Sequence, residues 1–171
     1  PPVLYKLLIG GPGTGKTFTI SLIVEKFEIE SLRFDINRPS CTVCCAPTAT
    51  AALLHRNGVT LHGLICQNGE KYITTGDRLR DVQDFHKRLD LVVIDEVSMM
   101  NEPLFKNADK RFRSTLNPNL DFGGISCVIV VGDFTQLPPG VGGLNATIMK
   151  CIIDPKDTID IFLRKFTRTN L

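Results

Sequence analysis

Long hydrophobic runs are missing from this 171-residue chain. None approaches the roughly 18 consecutive apolar residues that cross a bilayer, so no membrane-spanning helix is expected. The opening Pro1-Pro2-Val3-Leu4-Tyr5-Lys6 has no basic leader, hydrophobic stretch or cleavage site. It has no initiator Met either, and a glycine-rich loop begins ten residues in, so the chain is expected to be a piece of something longer. Charge of one sign is also scarce. A net charge of +2 gives no electrostatic case for a polyanionic partner. Metal-ligand spacing is absent: His55, His62 and His86 do not pair. Cys41, Cys44 and Cys45 lack a second Cys/His pair at ligand distance. Thr42-Val43-Cys44-Cys45-Ala46 instead reads as a buried strand in which Cys serves as a small hydrophobe. Internal repeats, low-complexity tracts and a dividing linker are missing too.

What is present is ordinary globular composition, 43% hydrophobic and 22% charged, over a length that supports one substantial core. Short β-branched runs alternate with longer helix-compatible stretches, the pattern of an α/β domain with a mainly parallel sheet. Strands are expected at 3–9, 41–46, 91–94, 126–131 and 158–163. Helices are expected at 16–27, from Thr48 through Leu54, at 77–88 with Leu79, Val82 and Phe85 on one face, and from Asn101 or Glu102 through Leu116. Residues 33–40, 117–124 and 138–143 read as loops.

Three constellations carry chemistry. Gly10-Gly11-Pro12-Gly13-Thr14-Gly15-Lys16-Thr17 fits G-x-x-x-x-G-K-[ST] between a strand and a helix. A triphosphate is a dense anion, and such a loop turns backbone N–H groups and a helix N-terminus toward it. Lys16 would reach the β/γ oxygens, and the Thr17 hydroxyl would ligate Mg²⁺. Leu91-Val92-Val93-Ile94 then delivers Asp95 and Glu96 to the carboxyl end of a buried strand, where open α/β sheets bind ligands. Asp95 would hold the metal, and Glu96 would orient and deprotonate the attacking water. The third, Val131 to Pro139, follows another buried strand; Gln136 there can hydrogen-bond a γ-phosphate or the lytic water. Free thiols in a nucleotide-binding chain point to a reducing, intracellular setting.

Taken in order, several blocks resemble the Pif-one-like DNA helicases, superfamily one enzymes that move 5′ to 3′ on single-stranded DNA. The blocks are Gly10–Thr17, Ala46–Ala52, Gly58–His62, Val93–Met100, Phe122–Gly124 and Gly132–Pro139. The resemblance implies a P-loop NTPase of RecA-like fold with helices on both faces of the sheet, residues 1–171 forming the first RecA-like domain of a helicase core. It implies ATP and Mg²⁺ as cofactors, and as partners single-stranded DNA and a second RecA-like domain of the same full-length protein, the whole acting as a monomer. It makes Gln136 a γ-phosphate sensor and sets Pro47, Thr48, Thr60 and His62 along the DNA track. Arg168, in Leu163–Arg168, matches an arginine that touches the γ-phosphate from the side, where charge must be stabilised. The compartment would be nucleus or mitochondrion in a eukaryote, otherwise cytoplasm or viral factory. Pro12 stands where the family usually has Ala, and Ala49 where Gly is common.

Two other readings stay open: a nucleotide-binding module without turnover, and a non-helicase motor or kinase on the same loop. Away from the motifs, Arg78/Arg80, Lys87/Arg88 and Lys110-Arg111-Phe112-Arg113 read as solvated helix faces or DNA phosphate contacts. Met99-Met100 reads as core packing, and Phe134 as either a base-stacking or a packing residue.

Overall fold

The aliphatic runs pair side by side. In chain order the elements are β1 (Leu4–Ile9), α1 (Lys16–Phe34), β2 (Cys41–Ala46), α2 (Ala49–Ala52), β3 (Val59–Thr60), α3 (Leu61–Leu64), β4 (Gln67–Asn68), β5 (Lys71–Tyr72), α4 (Asp77–His86), β6 (Leu89–Ile94), α5 (Glu102–Thr115), β7 (Cys127–Gly132) and β8 (Thr167–Asn170). This computed structural model describes residues 3–34, 41–68, 71–72, 77–133 and 166–171. Six strands form one sheet in the order β3-β2-β6-β7-β1-β8, every pairing parallel. A two-stranded antiparallel hairpin, β4-β5, stands apart from it.

Strand periodicity of two sorts the sheet's side chains to two faces. Leu8, Cys44, Leu91, Val93, Ile129 and Val131 pack with Ile20 of α1 on one face. Leu7, Val43, Val92, Ile94, Val128 and Val130 pack with Leu104, Phe105, Ala108 and Phe112 of α5 on the other. Because both faces are covered, β6 and β7 are apolar at nearly every position. The α/β fold with helices on both faces is therefore as expected. Burial raises the thiols of Cys44 and Cys127 to about 11 and that of Cys45 further, so they pack as neutral hydrophobes. Among the described residues, no helix is long and apolar enough to cross a membrane.

Several expectations are revised. Helix α1 runs to Phe34, so Arg33 and Phe34 are helical. Helix α2 ends at Ala52, leaving Leu53 and Leu54 exposed. In α4 the most deeply buried residue is His86, while Phe85 is 38% exposed. The expected strand at 158–163 lies outside the described residues, and the segment carrying Arg168 supplies β8. Met100 is core, but Met99 reaches the surface. Arg111 is no solvated residue: it is buried, and its Nε donates to Ile65 O at 2.9 Å. Arg113 is tied to Asp109 and Asp121.

The Phe122-Gly123-Gly124 block has a packing explanation. Phe122 sits at φ 46°, and its ring lies within 5.8–6.3 Å of the Tyr5, Phe105, Phe112 and Phe166 rings. Four aromatic neighbours, each worth about 0.5–1.5 kcal/mol beyond area burial, outweigh the roughly 1–2 kcal/mol of left-handed strain. Gly123, at φ +65°, turns the chain against α5, where a Cβ would stand 2.4 Å from Phe112 O. Gly123→Ala should therefore destabilise by about 2–4 kcal/mol, read as a lowered urea midpoint at unchanged slope.

His86 ties three helices together. Its Nε2–H donates to Leu64 O at 2.9 Å, which leaves Nδ1 to accept from the Thr115 hydroxyl at 2.8 Å. Burial, with Arg111 nearby, holds its pKa below the ordinary 6.5. The folded state therefore keeps the ring neutral at pH values where the unfolded chain binds a proton. This contribution is complete above pH 6.5 and is lost as pH falls. Chemical denaturation should show stability falling as pH drops below about 6.5, and His86→Gln should flatten that dependence.

Candidate nucleotide site

The site is built where parallel strands end together. Ile9 of β1 is level with Gly132 of β7, and Ile94 of β6 with Val130. Continuing that register sets Asp95 and Glu96 level with Leu8 and Ile9, directly below the loop that starts at Gly10. Strands β2 and β3 end at the same edge, with Ala46 level with Thr60. One edge thus collects the described candidate site residues except Arg168 and, on α3, His62.

The loop Gly10–Thr17 bends through Gly13 at φ +73° and Gly15 at φ +81°, values that a Cβ would strain. Thr19 N–H donates to Gly15 O at 2.8 Å, the first turn of α1. Helix geometry leaves the N–H groups ahead of it unspent and facing the loop. Lys16 Nζ donates to Gly10 O at 2.8 Å and Gly11 O at 2.7 Å, and stands 3.7 Å from Asp133 Oδ2. Thr17 is exposed in the first turn of α1. Asp133, just past β7, is buried; its role as a counter-charge to Lys16 went unread in the sequence, because an Asp after a strand carries no signal of its partner.

Asp95 is buried, its N–H bonded to Cys45 O at 2.8 Å. Its Oδ1 accepts from Glu96 N–H at 2.8 Å, and its Oδ2 accepts from His55 Nε2–H at 2.8 Å. Glu96 adopts φ 52°, ψ 38°, a left-handed conformation rare outside glycine, and such strain concentrates at functional sites. Burial and then the neighbouring Asp95 raise its carboxyl pKa, while His55 and Lys16 oppose the rise. A carboxylate made more basic than usual, and within the field of Lys16, suits proton abstraction.

The donor set fits Mg²⁺. That ion takes one or two protein oxygens and fills its remaining positions with water and phosphate. Asp95 keeps lone pairs on both oxygens after its two hydrogen bonds, and no group of three or more His, Cys, Asp or Glu among the described residues competes as a metal cage. Thr17 and Asp95 are the residues that would hold it.

The remaining sequence-predicted residues fall in three places. Thr48 caps α2, its Oγ1 accepting from Ala51 N–H, and Thr60 caps α3 by accepting from Gly63 N–H. Pro47 is half-buried beside Thr48, and His62 is half-buried on α3. Arg168 is exposed on the edge strand, level with Leu7, and is not brought to the loop. Gln136, Phe134 and the 138–143 loop lie outside the described residues.

A profile of the PIF1-like helicase family matches residues 5–160. The ATP-dependent DNA helicase PIF1 of Emericella nidulans is 33% identical over 141 residues, covering 80% of this chain and 18% of that protein. Human ATP-dependent DNA helicase PIF1 is 32% identical over 138 residues, covering 78% of this chain and 20% of its own length. The chain therefore spans about a fifth of these relatives. Bacteroides Pif1 bound to ssDNA superposes with TM-score 0.72 at 23% identity, over 98% of this chain and 38% of that one. The ADP-AlF4 complex of Bacteroides sp. Pif1 superposes with TM-score 0.67 at 25% identity, over 98% and 38%. With its phosphate loop, acidic pair and parallel sheet in the matching order, the chain belongs to the PIF1-like helicase family.

Proposed function

We propose that this chain is the first RecA-like motor domain of an ATP-dependent DNA helicase that moves 5′ to 3′ on single-stranded DNA. The observation that carries the proposal is the convergence of Lys16, Asp95, Glu96 and Asp133 on one edge of three adjacent strands. It is supported by relatives named as ATP-dependent DNA helicases and by a fold neighbour in complex with ADP-AlF4.

In the reaction, the loop N–H groups and Lys16 bind the phosphates. Thr17 and Asp95 would hold Mg²⁺, which when bound would neutralise charge on the phosphate oxygens. Glu96 takes the proton from water as its oxygen bonds the γ-phosphorus and the bond to ADP breaks. ADP and phosphate leave, and the proton passes from Glu96 to solvent. Asp133 is a counter-charge that Lys16 must exchange for phosphate. Gln136 as γ-phosphate sensor and Arg168 as stabiliser of transferred charge rest on the family resemblance alone. Pro47, Thr48, Thr60 and His62 line the surface for single-stranded DNA; a capping hydroxyl accepts from the helix and can still donate to a phosphate. A second RecA-like domain of the same full-length protein would close the cleft, and the protein would act as an intracellular monomer.

The test is hydrolysis by the full-length protein with and without single-stranded DNA. DNA should stimulate turnover, and duplexes with 5′ tails should be unwound in preference to those with 3′ tails. Turnover indifferent to DNA would remove the helicase reading. Lys16→Ala should abolish nucleotide binding or turnover. Glu96→Gln should bind nucleotide within a few-fold of wild type and lose roughly 10²–10⁴ in turnover; retained turnover would remove Glu96 as the base. The 171 residues alone should not unwind DNA.

A further inference from the structure

His55 has no part in the hydrolysis just derived, yet its side chain is only 3% exposed and its Nε2–H donates to Asp95 Oδ2 at 2.8 Å. With Glu96 N–H on Oδ1, two donors fix the carboxylate plane, each leaving its oxygen a lone pair for the metal's shell. Partners of this kind orient metal ligands, and losing one typically lowers metal affinity by roughly 10–100-fold.

His55 comes from none of the strands that hold nucleotide. It lies in the turn between α2 and β3, where its N–H donates to Ala52 O at 3.1 Å and Gly58 N–H donates to its carbonyl at 3.0 Å. The turn is tight: a Cβ on Gly58 would stand 1.9 Å from Ala52 O. The imidazole therefore moves with α2 and β3 as one piece. That piece begins at Thr48 and ends at Thr60, the hydroxyls assigned above to the DNA surface. Beside the ring lies a cavity of ≈ 440 Å³ lined by Ser21, Glu25, Glu28, Thr42 and Arg56. It gives the imidazole room to withdraw when the turn shifts.

We propose that His55 is a positioning residue that couples single-stranded DNA on the α2–β3 surface to the magnesium-binding geometry of Asp95. This rests on the helicase reading above. DNA held at Thr48 and Thr60 fixes the turn and with it the His55–Asp95 hydrogen bond. Without DNA the ring exchanges between Asp95 and the cavity, and the carboxylate loses its orientation for part of the time. Bound DNA therefore tightens Mg²⁺-dependent nucleotide binding before any chemistry occurs.

The experiment is a Mg²⁺ titration of a fluorescent ATP analogue on the full-length protein, with and without a short oligothymidylate. In wild type, DNA should lower the Mg²⁺ midpoint several-fold. In His55→Ala the midpoint should rise roughly 10-fold and cease to respond to DNA, while DNA affinity without nucleotide stays within two-fold. His55→Gln keeps an N–H donor near the Nε2 position and should restore much of the DNA response; its melting temperature reports whether it is folded. A His55→Ala midpoint that DNA still lowers overturns the proposal. So does a folded His55→Gln protein that behaves like His55→Ala, or a wild-type midpoint that ignores DNA while hydrolysis is stimulated. A wild type that binds no single-stranded DNA overturns the helicase reading itself, and this proposal with it.

Discussion

The parallel hydrogen-bond ladder joining β6, β7 and β1 is the constraint on which the rest depends. Its register, Leu91–Cys127–Leu4 through Ile94–Val130–Leu7, fixes where each strand stops. The residues that follow those stops are the phosphate loop, Asp95 with Glu96, and Asp133. A slip of one residue would turn every side chain of the slipped strand to the opposite face. It would also exchange Ile94 for Asp95 in the core. The two packed faces therefore defend the geometry of the site: Leu91, Val93 and Ile129 against α1, Val92, Ile94 and Val128 against α5. The left-handed backbone at Glu96 survives because Asp95 is anchored on both sides, by Cys45 O at its N–H and by His55 at its carboxylate.

Electrostatics at that edge are deliberately unbalanced. Asp133 stands 3.7 Å from the Lys16 ammonium and Glu96 lies within its field, while Asp95 beside Glu96 is held by His55; Lys16 also spends two donors on Gly10 and Gly11 carbonyls. A triphosphate alone would meet carboxylates, whereas a triphosphate carrying a divalent cation brings the positive charge they need. The backbone N–H groups of the loop then serve the anion. On the proposed function, this charge set would favour the metal–nucleotide pair over either member separately.

Sequence legibility followed the kind of signal each residue carries. Gly10–Thr17, the β6 run ending in Asp95-Glu96, and the helix starts near Thr48 and Asn101 were readable because local chemistry alone demands them. His55, His86 and Arg111 were not, since each is explained by a partner 22 to 46 residues away in the chain. A polar residue whose partner is distant looks like a surface residue until the fold brings the two together. Phe122-Gly123-Gly124 was readable only as a family block; its cause, a ring driven into an aromatic cluster by a left-handed turn, needed the structure. Strand β8 was missed because Thr167–Asn170 is exposed throughout and has no alternation to betray it.

The position of β1 has a consequence for the order in which the fold closes. This strand lies between β7 and β8, whose residues follow it by more than 120 and 160 positions respectively. Tyr5 likewise meets Phe122 and Phe166. Such distant pairings close late because chain entropy must be overcome before they form. The phosphate loop, which follows β1 directly, is therefore organised only as those distant pairings close.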